Sequence, residues 1–241
     1  MSSPDSALEK LAWDSAFFGF PVGRLQAPVA DAAGLRHWLA AARRQGYRLL
    51  YWLVEPHDAA AVAAAKALHL RPIDHRITFG LPLAGRAIVA PVPDVRPVFT
   101  ATPALRALAQ DSSGWSRFRR DACFAPGSWQ RLYNQWLQES LRGRLAREVL
   151  VHDDAAGQPL GMLTLAQQGP VATIGLLAVA PAARRQGVGR ALLQAAGQRA
   201  QGWGCTELRV TTQQANHAAV ALYRAGGFRV ETEALIYHIW L

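Results

Sequence analysis

At 241 residues, with 51% hydrophobic and 18% charged side chains, the chain is long enough for one large or two small domains with an ample core, and its composition excludes the disordered class. No apolar run approaches the roughly twenty residues of a membrane helix, and the opening MSSPDSALEKLAWDSAFF has neither a basic nor an apolar leader segment. The formal charge of +9 calls for anionic partners, and the scatter of Arg pairs at 43 and 44, 119 and 120, and 184 and 185 favours phosphorylated small molecules over nucleic acid.

A cytoplasmic protein without a membrane partner is therefore expected. Cys123 and Cys205 lie far apart with no CxxC spacing, which argues against a disulfide framework or a metal site and leaves both as packing residues.

In chain order, Phe20 to Gln26 reads as a strand and Asp31 to Gln45 as a helix capped by Asp31. Tyr47 to Val54 follows as a buried strand, His57 to His69 as an alanine-rich helix, and Ile73 to Leu83 as an alternating strand. Ala84 to Pro97 carries three prolines and no helical period. This divides the chain into an N-terminal α/β domain over 1–84, a linker over 85–98 and a second domain over 99–241.

The second domain opens with Thr102 capping a helix, Pro103 to Gln110, that has Pro at its first position. A loop from Asp111 to Gly127 leads to Ser128 as cap of a helix over Trp129 to Arg142. Glu148 to His152 and Leu160 to Gln167 form a hairpin about an Asp-Asp-Ala-Ala-Gly turn. Thr206 to Thr212 is a β-branched strand, Asn216 caps a helix over His217 to Ala225 that ends at Gly226-Gly227, and Phe228 to Leu241 supplies two final strands. The first domain's β-α-β-α-β order resembles the last seventy or so residues, so one reading makes it a degenerate internal copy.

The chemistry is concentrated between Val171 and Ala200. Val171 to Val179 is apolar at nearly every position and reads as a strand buried on both faces, which Pro181 stops. A helix with an apolar stripe at Val188, Leu192, Ala196 and Ala200 begins near Gly187. The turn between them, Arg184-Arg185-Gln186-Gly187-Val188-Gly189, opens unpaired N–H groups and the positive end of a helix dipole to a ligand. Two guanidinium forks beside it make a pyrophosphate the natural guest. Gly-Lys-Ser/Thr is absent, which argues against a P-loop. The distance from the strand and Leu192 in place of a third glycine argue against a dinucleotide fingerprint.

Over roughly residues 99–241 this order of motifs resembles the GNAT superfamily of acyl-CoA-dependent N-acetyltransferases. The R/Q-x-x-G-x-G/A signature is matched by Arg184 to Gly189, and N-x-x-A-x-x-L-Y-x-x-x-G-F by Asn216 to Phe228. The resemblance implies an α/β fold with a mixed, mostly antiparallel sheet and flanking helices, acetyl-CoA as co-substrate and no metal. It places the donor against Leu177, Ala178 and Val179 of a splayed strand, against Arg184, Arg185, Gln186, Gly187, Val188, Gly189 and Arg190, and beside Asn216, Ala219, Leu222 and Tyr223. Tyr223 is then the general acid, since a phenol of pKa about 10 lies near enough to a thiol of about 8.5 for proton donation to the leaving thiolate.

Trp13 to Gly19, Ser116 to Arg119 and Tyr133 to Trp136 resemble, more narrowly, the members that acetylate the 4-amino group of dTDP-linked 4-amino-4,6-dideoxyhexoses. Asp74 stands where those enzymes carry an acidic residue tied to amine deprotonation. It is one methylene shorter than Glu, so a water relay is expected. Arg117, Phe118 and Arg119 offer guanidinium forks and an aromatic plane to a nucleotide diphosphate, and Phe17 and Phe18 an apolar wall. A GNAT enzyme for another small amine or a protein N-terminus, and a non-catalytic acyl-CoA sensor, are the alternatives. A homodimer is left open.

Overall fold

The computed structural model describes residues 7–85 and 92–241. The first six residues of the stretch read for a leader, and 86–91 of the expected linker, lie outside the described residues. The first elements are β1 (Leu8–Lys10), α1 (Ala12–Phe18), β2 (Val22–Leu25), α2 (Ala32–Arg44), β3 (Leu49–Val54), α3 (Ala59–Ala67) and β4 (Asp74–Pro82). After β5 (Val95–Pro97) come α4 (Pro103–Asp111), a 3-10 turn at Ser112–Trp115, α5 (Arg117–Arg120), α6 (Ser128–Leu141), β6 (Glu148–Asp153) and β7 (Pro159–Gln168). The chain closes with β8 (Val171–Val179), a 3-10 turn at Pro181–Ala183, α7 (Val188–Gly202), β9 (Glu207–Gln213), α8 (His217–Ala225) and β10 (Arg229–Trp240).

Side-chain oxygens start the helices where the sequence places caps: Asp31 accepts from Gly34 N at 2.7 Å, Thr102 from Leu105 N at 3.2 Å and Asn216 from Ala219 N at 3.2 Å. The expected Ser128 cap is corrected. Gly127, in the left-handed region at φ 80°, is the cap residue and Ser128 is already helical. The expected loop from Asp111 to Gly127 holds the 3-10 turn and α5, whose Ser116 cap accepts from Phe118 N.

Two compact units are present: residues up to Arg76 with Glu233–Leu241, and Ile77–Thr232. They part within β4 and β10. Val95–Pro97, in the segment read as linker, is sheet, with Val95 opposite His152 and Pro97 opposite Leu150. Phe228 to Leu241 is one strand rather than two. Its charged middle, which looks like a break in sequence, is held by ion pairs of Glu231 to Arg209 at 2.9 Å and Glu233 to His75 at 2.7 Å.

In the first unit β1 is antiparallel to β2, β2 parallel to β3, and the end of β10 antiparallel to β3, from Leu235 opposite Val54 to Trp240 opposite Leu49. Its core packs Leu50 and Trp52 against Leu35 and Leu39 of α2 and Ala61 and Ala65 of α3. In the second unit the strand order is β4-β9-β8-β7-β6-β5, with β8 and β9 parallel and β5 to β8 antiparallel in succession.

The second core joins Phe79, Leu163, Leu165, Ile174, Leu208 and Val210 of the sheet to Leu192 and Ala196 of α7 and Tyr223 of α8. Strand β8 alternates in burial, with Thr173 and Gly175 exposed, so the expectation of two buried faces is corrected. Cys205 is buried as expected, whereas Cys123 is exposed rather than a core packing residue. Among the described residues no helix is long and apolar enough to cross a membrane, and no group of three His, Cys, Asp or Glu side chains is placed to hold a metal.

Candidate active site

Strand β8 is the element on which the site is built. Its register with β7 runs from Gln168 opposite Val171 to Leu165 opposite Ile174, then resumes at Leu163 opposite Leu177. Gly175 and Leu176 thus face the single residue Thr164, which defines a β-bulge in β8. On the other side, β8 pairs with β9 over Val171–Ile174 and Glu207–Val210, and that pairing stops where the bulge begins. A bulge bends its strand and adds twist, so β8 leaves β9. Among the described residues, the main-chain groups of Leu177 and Val179, which face away from β7, have no strand partner, which leaves an open edge for an extended ligand.

At the end of that edge lies the anion cradle. Gly187 is the cap of α7 at φ 88°, with no side-chain cap, and Ala191 N is the amide that donates back to Gly187 O at 2.9 Å. The N–H groups of Val188, Gly189 and Arg190 precede that bond and face outward with the positive end of the helix dipole. Arg185 is left-handed at φ 63°, a conformation a non-glycine residue adopts only where its surroundings impose it. Arg184 Nε donates to Val179 O at 3.2 Å and ties the turn to the strand end, and Gln186 Nε2 donates to Ala182 O at 2.8 Å.

The side chain of Val188 is buried and lies over Gly161, whose Cβ would stand 2.8 Å from Val188 Cγ1 and 3.0 Å from Ala178 O. Gly189 also serves the packing of α8: a Cβ there would meet Leu222 Cδ2 at 3.1 Å, so its missing side chain makes room for that helix. Of Gly161, Gly187 and Gly189, Gly187 is the one with open space around a Cβ and a positive φ, so its need is conformational.

Tyr223 is 4% exposed, its ring set between Phe79 at 5.7 Å and Phe228 at 5.8 Å. Among the described residues its hydroxyl has no hydrogen-bond partner. Burial pushes its phenol above the usual value, so it keeps its proton across the physiological range. Asn216 holds the helix that carries it: Oδ1 caps α8 while Nδ2 donates to Thr212 Oγ1 of β9 at 3.4 Å. Leu222 packs on Gly189 and Ala219 lies half-buried one turn before Tyr223. The cradle, the open β8 edge and Tyr223 all belong to the second unit.

Arg117, Phe118 and Arg119 are in that unit too, and one part of their expected role is corrected. Phe118 is 6% exposed and packs against Phe124 at 5.6 Å and Trp136 at 6.1 Å, with the Arg117 guanidinium 4.6 Å from its ring centroid. Its plane is core, not a platform for a base. Arg119 is exposed, 4.6 Å over Trp129. A cavity of about 520 Å3 beside Arg96, Thr102, Leu105 and Asp153 involves none of these residues.

Asp74, Phe17 and Phe18 belong to the first unit. Asp74 is 5% exposed, which rules out a solvated carboxylate. Phe17 stacks on Trp13 at 5.4 Å and meets Phe18 edge-on at 4.9 Å, and the row continues through Phe20 to Trp240. Both phenylalanines are half-buried rather than core.

Sequence reasoning missed Gly161 and Thr164. The available signals were a glycine and a hydroxyl in the otherwise apolar run Leu160 to Ala166.

Residues 114–228 match the acetyltransferase (GNAT) family. Aminoglycoside N(6')-acetyltransferase type 1 of Klebsiella aerogenes is 36% identical over 146 residues, 56% of this chain and 89% of that protein. A GCN5-related N-acetyltransferase from Sphaerobacter thermophilus shares the fold at a TM-score of 0.67 and 15% identity, over 97% of this chain and 76% of that one. The chain belongs to the GNAT family of acetyltransferases. Within that family, dTDP-fucosamine acetyltransferase of Escherichia coli O6:H1 is 29% identical over 238 residues, 95% of this chain and 96% of that one.

Proposed function

We propose that the protein transfers the acetyl group of acetyl-CoA to the amine of a nucleotide-linked amino sugar, the 4-amino group of a dTDP-4-amino-4,6-dideoxyhexose, by direct attack in a ternary complex. The observation that carries this reading is coverage. Similarity to the dTDP-fucosamine enzyme runs through 95% of the chain and so through both units, whereas similarity to the aminoglycoside enzyme covers 56%.

The donor's pyrophosphate takes the N–H groups at the start of α7 with Arg184 and Arg185, and its pantetheine arm extends along the β8 edge. The amine lone pair attacks the thioester carbon and forms the C–N bond, while a main-chain N–H of that edge meets the developing oxyanion. Collapse breaks the C–S bond, and the thiolate takes the phenolic proton of Tyr223. Burial raises the phenol, so it keeps its proton until the thiolate departs. The proton shed by the amine passes through water to Asp74. Phe17 and Phe18 flank the deoxysugar, and Arg117 and Arg119 hold the diphosphate. These acceptor roles are carried by sequence resemblance rather than by geometry.

The test is mass spectrometry of a panel of dTDP-amino sugars, aminoglycosides and peptides incubated with acetyl-CoA. Gain of one acetyl group on a dTDP-4-amino sugar is expected. Turnover of the other amines with none on the dTDP sugars would overturn the assignment.

A further inference from the structure

We infer that Thr164 sets how far β8 opens, a positioning role in binding the acyl donor that rests on the reading of the β8 edge given above. The extra residue of a bulge leaves an N–H without its ladder partner. Here that N–H belongs to Leu176, which is buried, so it needs an acceptor inside the protein. Thr164, itself 3% exposed, supplies one: its Oγ1 accepts from Leu176 N at 2.8 Å.

Gly175 carries the second half of the fit. A Cβ at that position would stand 2.9 Å from Thr164 Oγ1, so the absent side chain leaves the hydroxyl its room. The hydrogen bond and the space opposite it belong to neighbouring residues of one bulge. Together they fix the point at which β8 stops following β9.

Without the hydroxyl, the buried Leu176 N–H loses its acceptor. The strand recovers by drawing the Gly175 to Val179 segment back toward regular pairing, or by slipping one residue, which turns its side chains to the opposite faces. Either response moves the Leu177 to Val179 main chain that receives the donor. Thr164 touches neither the reacting atoms nor the acceptor amine. Its loss therefore acts on the KM and Kd for acetyl-CoA, and leaves the amine KM and the turnover number at donor saturation near their normal values.

The experiment compares wild type with Thr164→Val, which keeps the shape without the acceptor, and Thr164→Ser, which keeps the acceptor. Gly175→Ala approaches the same bond from the other side. Acetyl-CoA Kd by calorimetry should rise about ten-fold in Thr164→Val and in Gly175→Ala, the size of one lost buried hydrogen bond. Amide exchange at Leu176 should quicken in both. Thr164→Ser should restore both readouts.

Wild-type affinity and slow Leu176 exchange in a folded Thr164→Val, or a serine variant as impaired as the valine one, would overturn the role. Failure of the wild type to bind acetyl-CoA would overturn the donor-site reading itself, and the positioning role with it.

Discussion

Replacing Tyr223 by Phe removes one oxygen from a side chain whose ring is gripped on two sides, and the structure separates what that oxygen does from what the ring does. The ring is held between Phe79 and Phe228 and is 4% exposed, so Tyr223→Ala should cost about 3–5 kcal/mol of stability. In the Phe variant those contacts survive. Because the hydroxyl meets no protein partner among the described residues, its loss should change stability by less than about 1 kcal/mol. Turnover should respond very differently. A positioned acid is worth about 10²–10⁴ in rate, so kcat should fall by that factor while both KM values move by no more than a few-fold. Steady-state release of CoA thiol, measured beside a thermal melt, reads both quantities. A folded Tyr223→Phe protein with near-normal turnover would refute the proton-donor argument and leave the thiolate to depart unaided.

Three further outcomes follow from the same geometry. Burial raises the Tyr223 phenol above its ordinary value of 10.0, so its proton is lost only on the alkaline side of that value. The associated stability is likewise present below the unfolded pKa and lost as pH rises through the folded one. The kcat profile should therefore show no alkaline limb from this group below about pH 10, and a limb near about pH 8 that vanishes in Tyr223→Phe would contradict it. Gly161→Ala drives a Cβ against Val188 Cγ1 at 2.8 Å and Ala178 O at 3.0 Å; a melt should show about 1–3 kcal/mol of destabilisation, and calorimetry weaker acetyl-CoA binding. Arg119→Ala should raise the KM for the sugar nucleotide by about ten-fold or more while that for acetyl-CoA stays put; the reverse split would place Arg119 at the donor.

What could be read from the sequence was local. The caps at Asp31, Thr102 and Asn216, the stripe of α7 and the hairpin between β6 and β7 each depend on residues a few positions apart, and each stands where expected. The bulge in β8 was not legible, because it depends on which strands flank it and on a hydroxyl in β7. Gly189 was legible as a glycine but not in its contact with Leu222, which comes to it from another helix. Phe118 misled for a similar reason. Alternation of charge and ring reads as a ligand loop until Phe124 and Trp136 are seen closing over Phe118.

The pairing of β3 bears on how the protein is made. Leu49-Leu50-Tyr51-Trp52-Leu53-Val54 is fully apolar, and one of its two neighbours, Leu235–Trp240, is translated only after the entire second unit. While synthesis proceeds, that edge carries a row of unmet backbone groups on a sequence without charge or proline, the kind of surface that captures other nascent chains. A ribosome-bound chain stalled before Leu235 should therefore lean on a chaperone, and expression of the first unit without its closing strand should yield aggregates, although every helix of that unit is encoded within it.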